Sequence, residues 1–154
     1  MRSGLQFPRQ NPGYRDFADC LSTLNHDKRT KIRQERRRLA EAGLSFRRAT
    51  GADITASEWA FFYRCYVNTY RQHGSTPYLS LPFFERIGAT MPANVVLVIG
   101  SRHGKPLCAA LDVFDKGTLW GRYCGGTGHV PGLDFGGCSY QGIELCIARR
   151  NRQV

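Results

Sequence analysis

The chain has 154 residues, a formal net charge of +10 and 42% hydrophobic residues. This length suits one domain with a proper core, and the composition excludes a disordered chain. The longest apolar stretches, 95–99 and 107–111, are far shorter than the roughly 20 residues that a membrane helix needs. The first residues contain no apolar block typical of a secretory signal, so we expect a cytoplasmic protein without a membrane span.

Residues 17–43 predict one long helix or two short ones, because apolar side chains recur at helical spacing and Gly43 offers a C-terminal stop. If the helix breaks, we expect the break at residues 25–27, with Asp27 as the cap of the second helix. Residues 28–38 hold seven basic residues and one acidic residue, a local charge of +6. This charge favours an anionic partner, although a solvated basic face explains it equally well.

Three further elements follow before the chain changes character. The stretch "LSFRRATG" predicts a short strand, and Thr55 with Glu58 has the form of a capping box that begins a helix. Aromatic residues then recur at spacings of three and four as far as Gly74, a stripe that more often forms core than a ligand platform. Ser80 is expected to cap another short helix.

The region from Val95 onward predicts a three-stranded antiparallel meander, with turns at "RHGK" and "DKGT". Its first strand is apolar on both faces, which indicates the middle of a sheet covered on both sides. A last helix is expected from Cys138. The element order predicts an α+β fold in which helices pack on a mainly antiparallel sheet. The partner of its last strand is expected to be missing, so the fold is incomplete at the C-terminal side.

The stretch "GRYCGGTG", residues 121–128, raises the question of a phosphate-binding loop. Such a loop needs backbone N–H groups at the start of a helix, yet four residues, "HVPG", follow these glycines before any helical pattern begins. Neither the Walker pattern nor the dinucleotide fingerprint is present. The nearest match is an acyl-CoA loop pattern, which fails at Thr127. The end of a strand leading into a flexible connection is the favoured interpretation. Scattered histidines and cysteines without a CxxC pair predict no metal site.

Three long stretches resemble the FemAB-like proteins of the GNAT acyltransferase superfamily, bacterial proteins linked to peptidoglycan biosynthesis or recognition. They begin "LNHDKRTKIRQERRRLAEAG", "EWAFFYRCYVNTYRQHG" and "GRYCGGTGHVPGLDFGGCSYQG". The resemblance implies a GNAT-like fold that transfers an acyl or aminoacyl group to an amine, with acyl-CoA or aminoacyl-tRNA as donor. It also implies that residues 1–154 form a single, partial GNAT-like domain with an irregular leader, 1–13. We expect this domain to be an internal piece of the second half of a two-domain protein, with the N-terminal half as a possible partner.

The candidate site residues divide by chemistry. Arg29, Arg33 and Arg36 present planar forks suited to the phosphates of an anionic donor or phosphorylated acceptor. The groups available for proton transfer, or for contact with substrate, are Tyr123, Asp134, Tyr140 and Glu144. Cys124 and Cys138 have no evident histidine or acid companion as nucleophiles. The sequence assigns no catalytic role among them.

Two other functions stay open. The basic helix by itself suits a nucleic-acid-binding module, with tRNA as one partner. A degenerate fragment without catalytic activity is the other alternative, because the bare sheet edge leaves the fold marginal.

Overall fold

The computed structural model describes residues 9–10, 14–115, 118–126, 141 and 144. Its elements in chain order are β1 (Arg9–Gln10), α1 (Phe17–Ser22), α2 (His26–Glu41), β2 (Leu44–Thr50), a 3-10 turn (Gly51–Asp53), α3 (Ala56–Gln72), α4 (Leu81–Thr90), β3 (Val95–Arg102), β4 (Lys105–Asp115) and β5 (Thr118–Gly126). The five strands form one sheet in the order β1-β5-β4-β3-β2, and all neighbours are antiparallel. This confirms the α+β prediction.

The N-terminal region forms two helices, as one of the two predicted arrangements has it. The cap of α2 is Asn25, whose side chain accepts a 2.9 Å hydrogen bond from the Lys28 backbone N–H. The prediction that Asp27 is the cap was therefore wrong, because Asn25 satisfies this orphan donor first and Asp27 lies in the first helical turn. Gly43 follows α2 with a φ of 77°, the left-handed conformation expected after a helix end.

Other local signals within the described residues are confirmed, whereas Lys116 and Gly117 of the predicted "DKGT" turn lie outside them. Thr55 and Glu58 form a complete capping box at the start of α3, and the Ser80 side chain caps α4. The β3–β4 turn contains two residues with positive φ, His103 (52°) and Gly104 (76°), as a tight two-residue hairpin requires. The predicted last helix lies outside the described residues, apart from Gln141 and Glu144.

The sheet has a core on each face. One face packs against α3 and α4 through a cluster of aromatic and aliphatic side chains that includes Trp59, Phe62 and Phe84. The other face packs against the end of α2, where Leu39 joins Val98 in a smaller cluster. Residues 95–100 of β3 are all buried, which confirms the prediction of a central strand covered on both sides.

Two expectations about the sheet margin need correction. The leader, expected to be irregular, contributes β1, which pairs with Thr118 and Leu119 of β5. The last strand of the meander therefore has a partner at its beginning. From Trp120 to Gly126, β5 has β4 on one side and, in the part of the chain described, no strand on the other.

Candidate functional site

Two of the predicted site residues, Arg36 and Glu144, lie together. Their side chains form an ion pair, and the Arg36 guanidinium also stacks over the Phe17 ring at 4.5 Å. Both side chains are partly shielded from solvent, with exposures of 36% and 23%. Arg36 is thus engaged in holding α1 and Glu144 against α2, which leaves its planar fork less available to a phosphate.

The remaining cations of α2 define what we call its basic face. Its exposed members are Lys28, Lys31, Arg33, Arg37 and Arg38. Arg29 is partly buried beside them. Arg37 shares its charge with Glu41 at 3.5 Å, a surface pair of small energetic worth. The phosphate-binding interpretation therefore depends on this face, and on Arg33 more than on Arg36.

Tyr123 lies on the opposite face of the sheet. Its ring packs edge-to-face against Tyr66 and Phe84, with centroids 5.2 and 5.7 Å apart, and its hydroxyl lies 3.3 Å from that of Tyr78. Burial, followed by the hydrogen bond to Tyr78, raises the pKa of neighbouring Tyr70. The aromatic stripe is thus core at Tyr66, while Tyr78 is 69% exposed at the rim.

The predicted site residues therefore do not converge. Arg36 and Glu144 lie on the α2 side of the sheet, whereas Tyr123 lies on the α3 side. Asp134 and Tyr140 lie outside the described residues, as does Cys138. Among the described residues, a better candidate site is formed by the glycine-rich strand β5 and the residues of β4 beside it.

Glycine in β5 permits close packing. A Cβ on Gly125 would lie 2.3 Å from the Thr69 hydroxyl and 2.7 Å from the Cys65 carbonyl, so only glycine lets α3 approach this strand. The Asn68 side chain donates a 2.8 Å hydrogen bond to the Gly126 carbonyl. Residues 121–126 belong to the strand, which confirms the strand part of the favoured interpretation; Thr127, Gly128 and the connection that follows lie outside the described residues.

β5 is also irregular. Leu111 of β4 pairs with Tyr123, but the next residue, Asp112, pairs with Gly121, so Arg122 has no partner in the register. This is a β-bulge, a distortion that often adjoins active sites because it redirects side chains and ends regular pairing.

The acid at the bulge, Asp112, was not predicted as a site residue. Its side chain is 5% exposed, and its Oδ2 has no hydrogen-bond partner among the described residues. Burial raises the pKa of Asp112 to about 7. The sequence does contain a signal for Asp112, because this one acid interrupts the apolar run "LCAALDVF". However, a polar residue at that position also fits the ordinary alternation of a β-strand.

Strand alternation places Asp112 on the α2 side of the sheet. Asp112 pairs with Val96, which pairs with Thr50, while the neighbouring row holds Ala110, Val98 and Arg48. Arg48 donates a long 3.5 Å hydrogen bond to the Gln141 carbonyl. The C-terminal residues described thus approach the same face that carries Asp112.

Two general properties complete the site. None of the helices in the described ranges is long and apolar enough to cross a bilayer. Within those ranges, no group of three or more His, Cys, Asp or Glu side chains is placed to share a metal ion. The chemistry available there is that of backbone amides, hydroxyls, one buried carboxyl group and surface cations.

Comparison with solved structures supports a GNAT-like class of fold. The chain is similar to the C-terminal domain (DUF2156) of a protein assigned as a lysylphosphatidylglycerol synthetase from Agrobacterium fabrum, with a TM-score of 0.53 and 12% identity. The match covers 84% of this chain and 41% of that chain, so the present chain spans less than half of its neighbour. A search of curated proteins gave no significant match.

A family model gives the more specific assignment. The FemAB-like family, described as peptidoglycan biosynthesis/recognition, matches residues 1–154. The chain belongs to the FemAB-like family, as the three sequence stretches predicted.

Proposed function

We propose that this chain is the transfer domain of an enzyme that moves an aminoacyl group from aminoacyl-tRNA to an amine of a peptidoglycan stem peptide. The observation that carries the proposal is the bulged strand β5, which from Trp120 to Gly126, beyond its pairing with β1, faces no second strand in the described part of the chain. Family membership and the GNAT-like fold support a group-transfer function.

A strand edge without a neighbouring strand, as β5 has among the described residues, suits acyl transfer for a physical reason. The carbonyl oxygen of the donor ester gains negative charge as the amine attacks, and fixed backbone N–H groups stabilise that charge without reorganising. An edge strand presents such groups in a row, and a bulge changes their direction locally. Asn68 and the close contact at Gly125 hold the strand against α3, which keeps the donors in place.

The basic face of α2 favours a large polyanionic donor. α2 packs on β2, which lies three strands away from β5, roughly 14 Å at ordinary strand spacing. A tRNA acceptor stem can contact the basic face while its charged end reaches β5. The strand geometry of residues 121–126 gives acyl-CoA no separate pyrophosphate loop there, so we favour aminoacyl-tRNA.

Binding of the donor is tested with Arg33→Ala. Because Arg33 is exposed on the basic face, we expect this variant to bind aminoacyl-tRNA several-fold more weakly, with the salt slope of log K lower by about 1. Arg71→Ala is the matched control, since Arg71 is an exposed arginine on α3, across the sheet. Equal loss in both variants, measured by filter binding, would argue against a specific donor surface.

Transfer itself is tested with labelled aminoacyl-tRNA and a stem peptide carrying a free lysine amine. Appearance of label in an amide product supports the proposal. The alternative, an RNA-binding module, is favoured instead by the exposed cations of α2. It predicts equal affinity for aminoacylated and uncharged tRNA, and no labelled product even when the N-terminal GNAT-like half is supplied as a separate chain.

A further inference from the structure

Among the described residues, little lies beside the buried carboxyl group of Asp112 on its β5 side. Gly121, its partner across the strands, is exposed and has no side chain. A Cβ built on Gly121 would meet one described heavy atom within 4 Å, Asp112 Oδ1, at 3.5 Å. A position the size of a methyl or amino group therefore lies beside the carboxyl group, next to the bulge in β5.

The carboxyl group needs a partner that the described residues do not supply. Oδ2 is buried without a hydrogen bond, and a buried unpaired carboxylate is costly. On the same face, the row of Asp112 offers Val96 and Thr50, and the next row offers the cation Arg48, which is exposed and donates to the Gln141 carbonyl. A ligand that brings N–H donors, and a proton to share, would satisfy this carboxyl group.

We propose that Asp112 binds the amino group of the acceptor, which enters beside Gly121, and accepts its proton during transfer. This inference rests on the proposed function and names the acceptor side of the same site. The distance suits it, because a group in place of the Gly121 Cβ would lie 3.5 Å from Asp112 Oδ1, on the strand β5 that we propose binds the donor ester. The raised pKa of Asp112 agrees with this role, since a base that titrates near 7 exchanges protons readily at neutral pH.

The step balances without an oxidant or reductant. The amine nitrogen forms a bond to the ester carbonyl carbon, and the bond from that carbon to the ribose oxygen breaks. One proton passes from the nitrogen to the Asp112 carboxylate. Asp112 then returns this proton to the departing ribose oxygen, directly or through water. The products are an amide and a tRNA with a free hydroxyl group.

The experiment compares the wild type with Asp112→Asn and Gly121→Ala. We expect Asp112→Asn to lower kcat/KM for transfer to the lysine amine by about 10²–10⁴-fold, the usual worth of a positioned base, while affinity for aminoacyl-tRNA is unchanged. Gly121→Ala places a methyl group in the amine position at ordinary contact distance, so it should raise KM for the amine more than it lowers kcat.

A binding measurement separates this inference from the proposed function. Nα-acetyl-lysine amide should shift the carboxyl carbon resonance of Asp112 in the wild type, and the shift should be lost in Gly121→Ala. Donor binding with unchanged transfer in Asp112→Asn would overturn the role of Asp112 and leave the proposed function standing. Absence of both donor binding and transfer in the wild type would overturn the proposed function, yet the resonance shift would still report an amine site.

Discussion

From the buried carboxyl group of Asp112 we predict how the free energy of unfolding changes with pH. Its pKa is raised by burial from 3.8 to about 7, a difference of about three units. Each unit corresponds to 1.36 kcal/mol, so the full effect is about 4 kcal/mol. Between pH 4 and pH 7 the folded state holds a proton that the unfolded state releases, so this contribution to stability is complete below pH 4 and is lost as pH rises through 7.

Asp112→Asn removes this titration while keeping a neutral side chain of similar shape. We expect the variant to differ little from the wild type at pH 4, and to be more stable by up to about 4 kcal/mol at pH 8. Urea unfolding of both proteins at a series of pH values gives the difference directly, and other titrating groups cancel in it. A difference that is constant from pH 4 to pH 8 would refute the reasoning, because it would mean that Asp112 ionises normally in the folded state.

Three further predictions concern packing and caps. Gly125→Ala should destabilise the fold by about 1–3 kcal/mol in urea unfolding, because its methyl group would meet Thr69 at 2.3 Å, and stability equal to that of Gly121→Ala would contradict this. Phe84→Ala should cost about 3–5 kcal/mol, since Phe84 is fully buried, while the control Phe83→Ala at a 43% exposed position costs far less in the same assay. Burial would raise the pKa of Glu58, but the hydrogen bonds from Arg47 and Thr55 outweigh it and lower this pKa. Ionised Glu58 therefore stabilises the fold fully above the ordinary pKa of a glutamate, and this stabilisation is lost as the pH falls from there through the lowered pKa of the folded state. Glu58→Gln should therefore weaken the fall of the unfolding free energy at acid pH. An unchanged fall would show that Glu58 does not contribute to it.

Local signals predicted most of the fold because each had a short-range cause. The capping box at Thr55 and the turn at His103 and Gly104 depend on neighbours within four residues, so the sequence contains the whole interaction. The same reasoning failed at Asp27, because Asn25, two residues earlier, caps the helix instead. It also missed β1, because a two-residue strand has no pattern of its own and exists only through its pairing with β5.

The candidate site was harder to predict for a different reason. The sequence shows that Arg36 can bind an anion and that Tyr123 carries a hydroxyl group. Which face of the sheet each side chain reaches depends on tertiary packing. Asp112 was missed because nothing in the sequence announces a bulge. The register shift that sets Asp112 opposite a glycine involves two strands and shows only in the paired structure.

The two faces of the sheet divide the work of the proposed site. On the α3 side, β5 is fixed against α3 by the close packing at Gly125 and by the hydrogen bond from Asn68. On the α2 side, Gly121 leaves space beside the buried acid Asp112 among the described residues. A site needs its reacting groups on rigid elements and an opening for substrate, and one strand meets both needs by using glycine for opposite purposes four residues apart. Gly121 and Gly125, two of the three glycines in "GRYCGG", are therefore explained without a phosphate, and we propose the basic face of α2 for the phosphates of a donor.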